Sequence, residues 1–229
     1  MKQQVSKAIV LARTNYGEAD RIITVLTPTD KHRLLAKGVR KVRSKLAGGV
    51  ELFSVSELVF LQGRGQLQTL ISSRLITHYA NIVKDIDRTT FAYDVLKKVN
   101  KITEDSVDAE YFELLVETLA ALDDMEVPLV YVRLWFYVRL LKLGGHAPNL
   151  KHGADGGELA ESAGYVFSFE DMAFRAKQGA PFQVQHIKFL RLAFMSGSPR
   201  VLAKVQGAEP LAIPLEQLLK TALNHWHLV

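Results

Sequence analysis

The chain has 229 residues, 48% of them hydrophobic, with 29 Lys/Arg against 24 Asp/Glu and a formal net charge of +5. That is enough material for one large domain or two modest ones with ordinary cores. The absence of cysteine excludes a disulfide framework, a thiolate nucleophile and a Cys-based zinc site.

The charge is polarised. Residues 1–80 carry thirteen Lys/Arg against five Asp/Glu, and residues 81–229 carry sixteen against nineteen. Such asymmetry points to an acidic partner for the first half, most often a nucleic acid. A membrane surface would call for an amphipathic basic helix or a lipidation site, and neither is recognisable. The opening MKQQVSKAIVLARTN has only five consecutive apolar residues, too few for a secretory signal, and no run approaches the ~20 needed to span a bilayer. The chain therefore reads as a soluble, intracellular protein.

In chain order, residues 6–13 (SKAIVLAR), 21–27 (RIITVLT), 33–37, 52–61 (LFSVSELVFL) and 66–73 (QLQTLISS) are short, β-branched and bounded by turn signals, which predicts five strands. The turns are Asn15-Tyr-Gly17, Thr27-Pro-Thr-Asp30 and Gly63-Arg-Gly65. Five strands with a longer insert between the third and fourth fit a small oligonucleotide/oligosaccharide-binding (OB) barrel, with an SH3-like barrel as the alternative. From about Ile82 the periodicity becomes helical. A helix is expected over 107–125, with Phe112, Leu115, Leu119, Leu122 and Met125 on its buried face. Residues 129–143 (LVYVRLWFYVRLLKL) follow Pro128 and are apolar nearly all round, as suits the central helix of a bundle. Gly144 and Gly145 end it. Residues 144–180 read as a Gly-rich insert with a short strand pair near 165–169, followed by helices over 184–195 and 215–226, the latter opened by Pro214. The expected fold class is α+β: an OB-fold domain over 1–80 and a mostly α-helical domain over 81–229.

Between Lys31 and Lys45 stand seven cations and no carboxylate: Lys31, Arg33, Lys37, Arg40, Lys41, Arg43 and Lys45. A solvated surface run would account for them, but Leu34, Leu35, Val39, Val42 and Leu46 are interleaved, so the segment is expected to be anchored on a core. These cations could neutralise several phosphates, and Arg13, Arg21, Arg64 and Arg74 extend the set from neighbouring strands. Tyr16 and Phe53 lie near turns where a ring could stack on a base, whereas Phe60, inside ELVFL, reads as core. Glu18 and Asp20 flank a turn beside Arg21, where an ion-pairing or turn-forming role outranks acid–base chemistry. In the second half Arg133, Arg139 and Lys142 interrupt the apolar helix. Their stems could be buried with the charge reaching water, or they could rim an apolar groove for an acidic-hydrophobic peptide.

Catalytic constellations are thin. There is no phosphate-binding Gly-rich loop with Lys-Ser/Thr, no His-Glu-x-x-His and no Gly-x-Ser-x-Gly. His225 and His227 point to opposite sides of a helix, and His146 and His152 have no well-spaced third donor. No enzyme activity, cofactor or metal is expected.

The motifs Tyr16-Gly-Glu-Ala-Asp-Arg-Ile-Ile-Thr-Val-Leu26, Ala36-Lys-Gly-Val-Arg40 and Ser44-Lys-Leu46 ahead of Glu51-Leu-Phe53 together resemble the opening of the bacterial RecO family of recombination mediators. Gly63-Arg-Gly65 and Leu143-Gly-Gly-His-Ala-Pro148 fit the same family more loosely. The resemblance implies an OB-fold joined to a helical domain. It implies binding to single- and double-stranded DNA, ATP-independent annealing, and action with RecR to load RecA. It also implies contact with the acidic C-terminal tail of single-stranded-DNA-binding protein (SSB), in the cytoplasm at the nucleoid. Many members carry a four-cysteine zinc element in the helical domain. Here the matching stretch, 151–179, offers His152/Asp155 and Arg175/Gln178, which make no credible zinc site. The competing functions are an RNA-binding OB protein, a protein-interaction adaptor and, with no acid cluster to recommend it, a metal-dependent hydrolase.

Overall fold

The computed structural model describes residues 2–62, 67–104, 108–161 and 164–226. The chain packs as two compact units, Met1–Asp124 and Met125–Val229.

The first unit begins with five strands: β1 (Lys2–Tyr16), β2 (Asp20–Leu26), β3 (Lys31–Ala36), β4 (Ser54–Gln62) and β5 (Leu67–His78). They close into a barrel in the order β1-β2-β3-β5-β4, with β3 and β5 parallel and the other pairs antiparallel. This is the OB-fold. The period-2 alternation of the sequence places Val10, Ile23, Val25, Leu34, Leu58, Phe60 and Leu70 inside. β1 is longer than expected because it serves two partners. Lys2–Ile9 pair with β4, Ile9–Tyr16 pair with β2, and a bulge between Val10 and Ala12 turns the strand from one to the other. β4 starts later than expected, at Ser54, because Phe53 adopts φ 56° and interrupts the extended chain.

Helices α1 (Ile86–Ile102) and α2 (Ala109–Asp123) belong to the same compact unit as the barrel. Each is opened by an aspartate whose carboxylate accepts a backbone N–H: Asp85 from Arg88 at 2.9 Å and Asp108 from Glu110 at 3.0 Å. α1 is fastened to the barrel by Lys31, whose ammonium donates to the Asn100 carbonyl at 2.5 Å, and by edge-on packing of Phe53 against Tyr93. Of the residues expected on the buried face of α2, Met125 departs. It lies past the helix end and is 47% exposed.

The second unit is built on α3 (Leu129–Leu143), which buries nine side chains and ends at Gly144 as expected. Around it pack α4 (Val184–Met195), the short α5 (Pro199–Ala203) and α6 (Glu209–His225). α6 starts one and a half turns earlier than the sequence suggests. Its opening proline is Pro210, and Pro214 sits inside the helix, where it leaves one carbonyl unpaired by its neighbour. The insert folds a hairpin of β6 (Tyr165–Ser168) and β7 (Ala173–Ala176). Among the described residues, no helix is long and apolar enough to cross a membrane.

Candidate nucleic-acid interface

β3 ends at Ala36, and the chain then runs through a series of turns to β4. This loop carries Lys37, Arg40, Lys41, Arg43 and Lys45, all exposed. It is not a free tail. Val39 and Val50 are buried in the barrel core, and Leu46 packs against it. The Ser73 hydroxyl donates to the Leu46 carbonyl at 2.9 Å, and Gly49 sits so close to Ser73 that a Cβ there would lie 2.4 Å from its Cβ. Val42 does not share in this anchoring, contrary to expectation. It is fully exposed, because the turns on either side rotate it outward.

The loop is also pinned to the β1–β2 turn. The Gly38 N–H donates to the Asp20 carboxylate at 2.7 Å, the Arg40 N–H to the Ala19 carbonyl at 2.9 Å, and the Arg40 guanidinium to the Gly17 carbonyl at 3.3 Å. Asp20 thus takes the turn-forming role, through a backbone amide eighteen residues away. Gly38 has φ +64°, a conformation that favours glycine. Tyr16, beside the same turn, is 54% exposed. Phe53 is not available for stacking, being only 3% exposed, and Phe60 is core as expected.

The outlying arginines divide. Arg13 is bound to Glu51 at 2.5 Å and Arg74 to Glu57 at 3.1 Å, so both arrive with their charge already balanced. Arg21 is half-buried at the start of β2 and donates to the Asn15 side chain at 3.2 Å. Arg33 is exposed on β3. Arg64 lies outside the described residues. Among the described residues, none of Arg33, Lys37, Arg40, Lys41, Arg43 and Lys45 has a carboxylate within ion-pairing distance. At the opposite end of β3, Lys31, His32 and Arg33 border a polar cleft of about 610 Å³ with Gln68, Asn100 and Glu104. Burial lowers the pKa of Lys31 and of His32, and the carboxylates of Glu104 and Asp30 respectively oppose the shift.

In the second unit the three predicted partner-binding cations do not converge. Arg133 faces Glu216 on α6 at 3.9 Å, and the Arg139 guanidinium lies 5.7 Å from the Trp135 ring centre. Lys142 does line an apolar cleft of about 350 Å³ with Pro148, Leu150, Phe194 and Met195, the last 80% exposed. The rim is completed by Lys151 and Arg191, whose guanidinium donates to the Leu150 carbonyl. No spacing pattern marks Lys151 or Arg191, which only the folded insert brings beside Lys142.

The stretch matching the family's zinc element does not fit a metal. Asp155 accepts the Gly157 N–H at 3.0 Å, Arg175 pairs with Asp171 at 2.6 Å, and His152 forms a backbone bridge with Glu158. Among the described residues, no group of three His, Cys, Asp or Glu is placed to hold one. Packed rings hold the insert instead. Phe174 touches Phe167 and Phe182 edge-on at centroid distances of 5.2 and 5.6 Å, and Phe169 meets His225 at 5.0 Å.

Two family models cover the chain, recombination protein O N terminal over residues 1–79 and recombination protein O C terminal over residues 83–227. The chain belongs to the recombination protein O family. Among its relatives, the DNA repair protein RecO of Dehalococcoides mccartyi is 29% identical over 204 residues, covering 86% of this chain and 80% of that protein. The RecO protein of a Roseiflexus species is 28% identical over 229 residues, covering 96% and 80%. That of Acetivibrio thermocellus is 35% identical over 146 residues, covering 62% and 57%. The RecO match therefore spans both the barrel and the helical unit.

Proposed function

We propose that this RecO-family chain binds single- and double-stranded DNA on the barrel and anneals complementary strands without ATP. One observation carries the reading: five exposed cations, Lys37, Arg40, Lys41, Arg43 and Lys45, stand on an anchored loop with no carboxylate among the described residues to balance them. A fixed cationic surface lowers the repulsion between two strands brought together on it, and annealing then needs no covalent step. The protein acts as a binding and assembly factor, not as an enzyme.

Its partners in this reading are RecR, SSB and, indirectly, RecA, in the cytoplasm at the nucleoid. The apolar cleft rimmed by Lys142, Lys151 and Arg191 has the chemistry to receive the acidic-hydrophobic tail of SSB, since it offers cations at the edge and apolar contact at the floor. The deciding experiment measures single-stranded oligonucleotide binding across a salt series for wild type and a Lys37/Arg40/Lys41/Arg43→Ala variant. Loss of four phosphate contacts shallows the slope of log affinity against log salt by roughly three units. Equal slopes, or no binding by the wild type, would overturn the proposal.

A further inference from the structure

A carboxylate is out of place on a surface that binds a polyanion, yet Asp20 sits at the root of the β1–β2 turn, directly against the basic loop. Its contact explains it. The Asp20 carboxylate accepts the Gly38 N–H at 2.7 Å, and two residues on, the Arg40 N–H donates to Ala19 while its guanidinium reaches the Gly17 carbonyl. Gly17 adjoins Tyr16, whose ring is exposed. Three hydrogen bonds therefore hold the exposed Arg40 side chain against the turn that adjoins the exposed Tyr16 ring, on two segments separated by more than twenty residues of chain.

We infer that Asp20 is a positioning residue. It clamps the basic loop onto the β1–β2 turn and so assembles a subsite for one unstacked nucleotide, its base on the Tyr16 ring and its phosphate at Arg40. The ring needs an unpaired base, so this subsite favours single-stranded over double-stranded DNA. The inference rests on the DNA-binding reading above. Two effects of removing the carboxylate have opposite signs. Loss of a negative charge near DNA strengthens binding, whereas loss of the clamp weakens it.

The test compares wild type with Asp20→Ala, Asp20→Asn and Glu18→Gln, using a labelled oligo(dT) and a duplex of equal length. Glu18 is an exposed carboxylate on the same turn and reports the charge effect alone. Glu18→Gln is expected to bind about twofold tighter to both DNAs. Asp20→Ala loses both charge and clamp: it should bind oligo(dT) several-fold more weakly, because one lost stacking contact, roughly tenfold, outweighs the charge effect, while its duplex affinity rises about twofold. Asp20→Asn, whose amide oxygen still accepts from Gly38, keeps the clamp without the charge and should bind both DNAs about twofold tighter than wild type, as Glu18→Gln does. Should Asp20→Ala fail to fold, the Gly38 amide decides. It exchanges slowly in wild type and Asp20→Asn if the clamp stands, and exchange as fast as in an open loop overturns the inference. Tighter binding of oligo(dT) by Asp20→Ala, in parallel with Glu18→Gln, also overturns it while leaving the DNA-binding reading intact. Absence of binding by the wild type removes both.

Discussion

The Arg13 guanidinium on β1 meets the Glu51 carboxylate 2.5 Å away, thirty-eight residues on, where the basic loop returns to β4. The pair ties the far end of that loop to the barrel just as the Asp20 contact ties its near end. Its cost and benefit are local, because Glu51 is about half exposed and the charges cancel.

Arg13→Ala should accordingly behave as a stability variant. Loss of a charge-assisted bond on a partly exposed pair is expected to cost about 1 kcal/mol in urea unfolding. The salt dependence of DNA binding should stay as in wild type. A slope shallower by about 0.7 would instead count Arg13 among the phosphate contacts.

Tyr16 and Phe53 were equivalent candidates on chemistry, and burial separates them. Tyr16→Ala should weaken single-strand binding by about 1–3 kcal/mol with little change in Tm. Phe53→Ala should do the reverse, costing about 3–5 kcal/mol of stability because the ring is packed against Tyr93. If Phe53→Ala instead lost DNA affinity while melting normally, the division would be wrong.

The strands and main helices were legible because their signals are local. β2 and β3 show alternation, α3 is apolar on every face, and Pro128 and Gly144 mark its ends. What escaped depends on tertiary placement. The bulge that lengthens β1 answers to the strand's two partners, and the left-handed Phe53 answers to a ring on α1. The run from Lys31 to Lys45 was visible as charge. Which arginines are balanced was not, since Glu51 and Glu57 lie far from Arg13 and Arg74 in sequence. The rim of Lys142, Lys151 and Arg191 joins a helix, an insert and another helix, and no spacing rule links them.

Among the described residues of the barrel unit, Arg88 is the most deeply buried charged side chain, at 5% exposure. Its guanidinium donates to the Leu122 and Asp124 carbonyls at 3.0 and 3.1 Å, so it satisfies the C-terminus of α2 from α1. Arg88→Met keeps much of the apolar stem but strands those carbonyls. It is expected to cost about 3 kcal/mol in urea unfolding, the scale of bonds to a charged donor. A change under about 0.5 kcal/mol would mean that other groups replace the cap.

Glu216 on α6 gives the helical unit a pH dependence with a definite sign. Burial raises its pKa, while Arg133, at 3.9 Å, and Lys220 pull it down less strongly. A carboxyl whose folded pKa exceeds its unfolded value near 4.5 favours folding below that value, and this contribution is lost as pH rises through the folded pKa. At pH 7 the ionised group is therefore a net cost to folding. Glu216→Gln removes that cost, so its Tm should exceed wild type at pH 7 and converge with it below pH 4 or so. His32 on β3 has the opposite sign: its lowered pKa means that the barrel unit loses stability as pH falls below about 6.5. A Glu216→Gln protein less stable than wild type at pH 7 would show that the Arg133 contact outweighs burial, and the helical unit would then weaken on acidification as the barrel does.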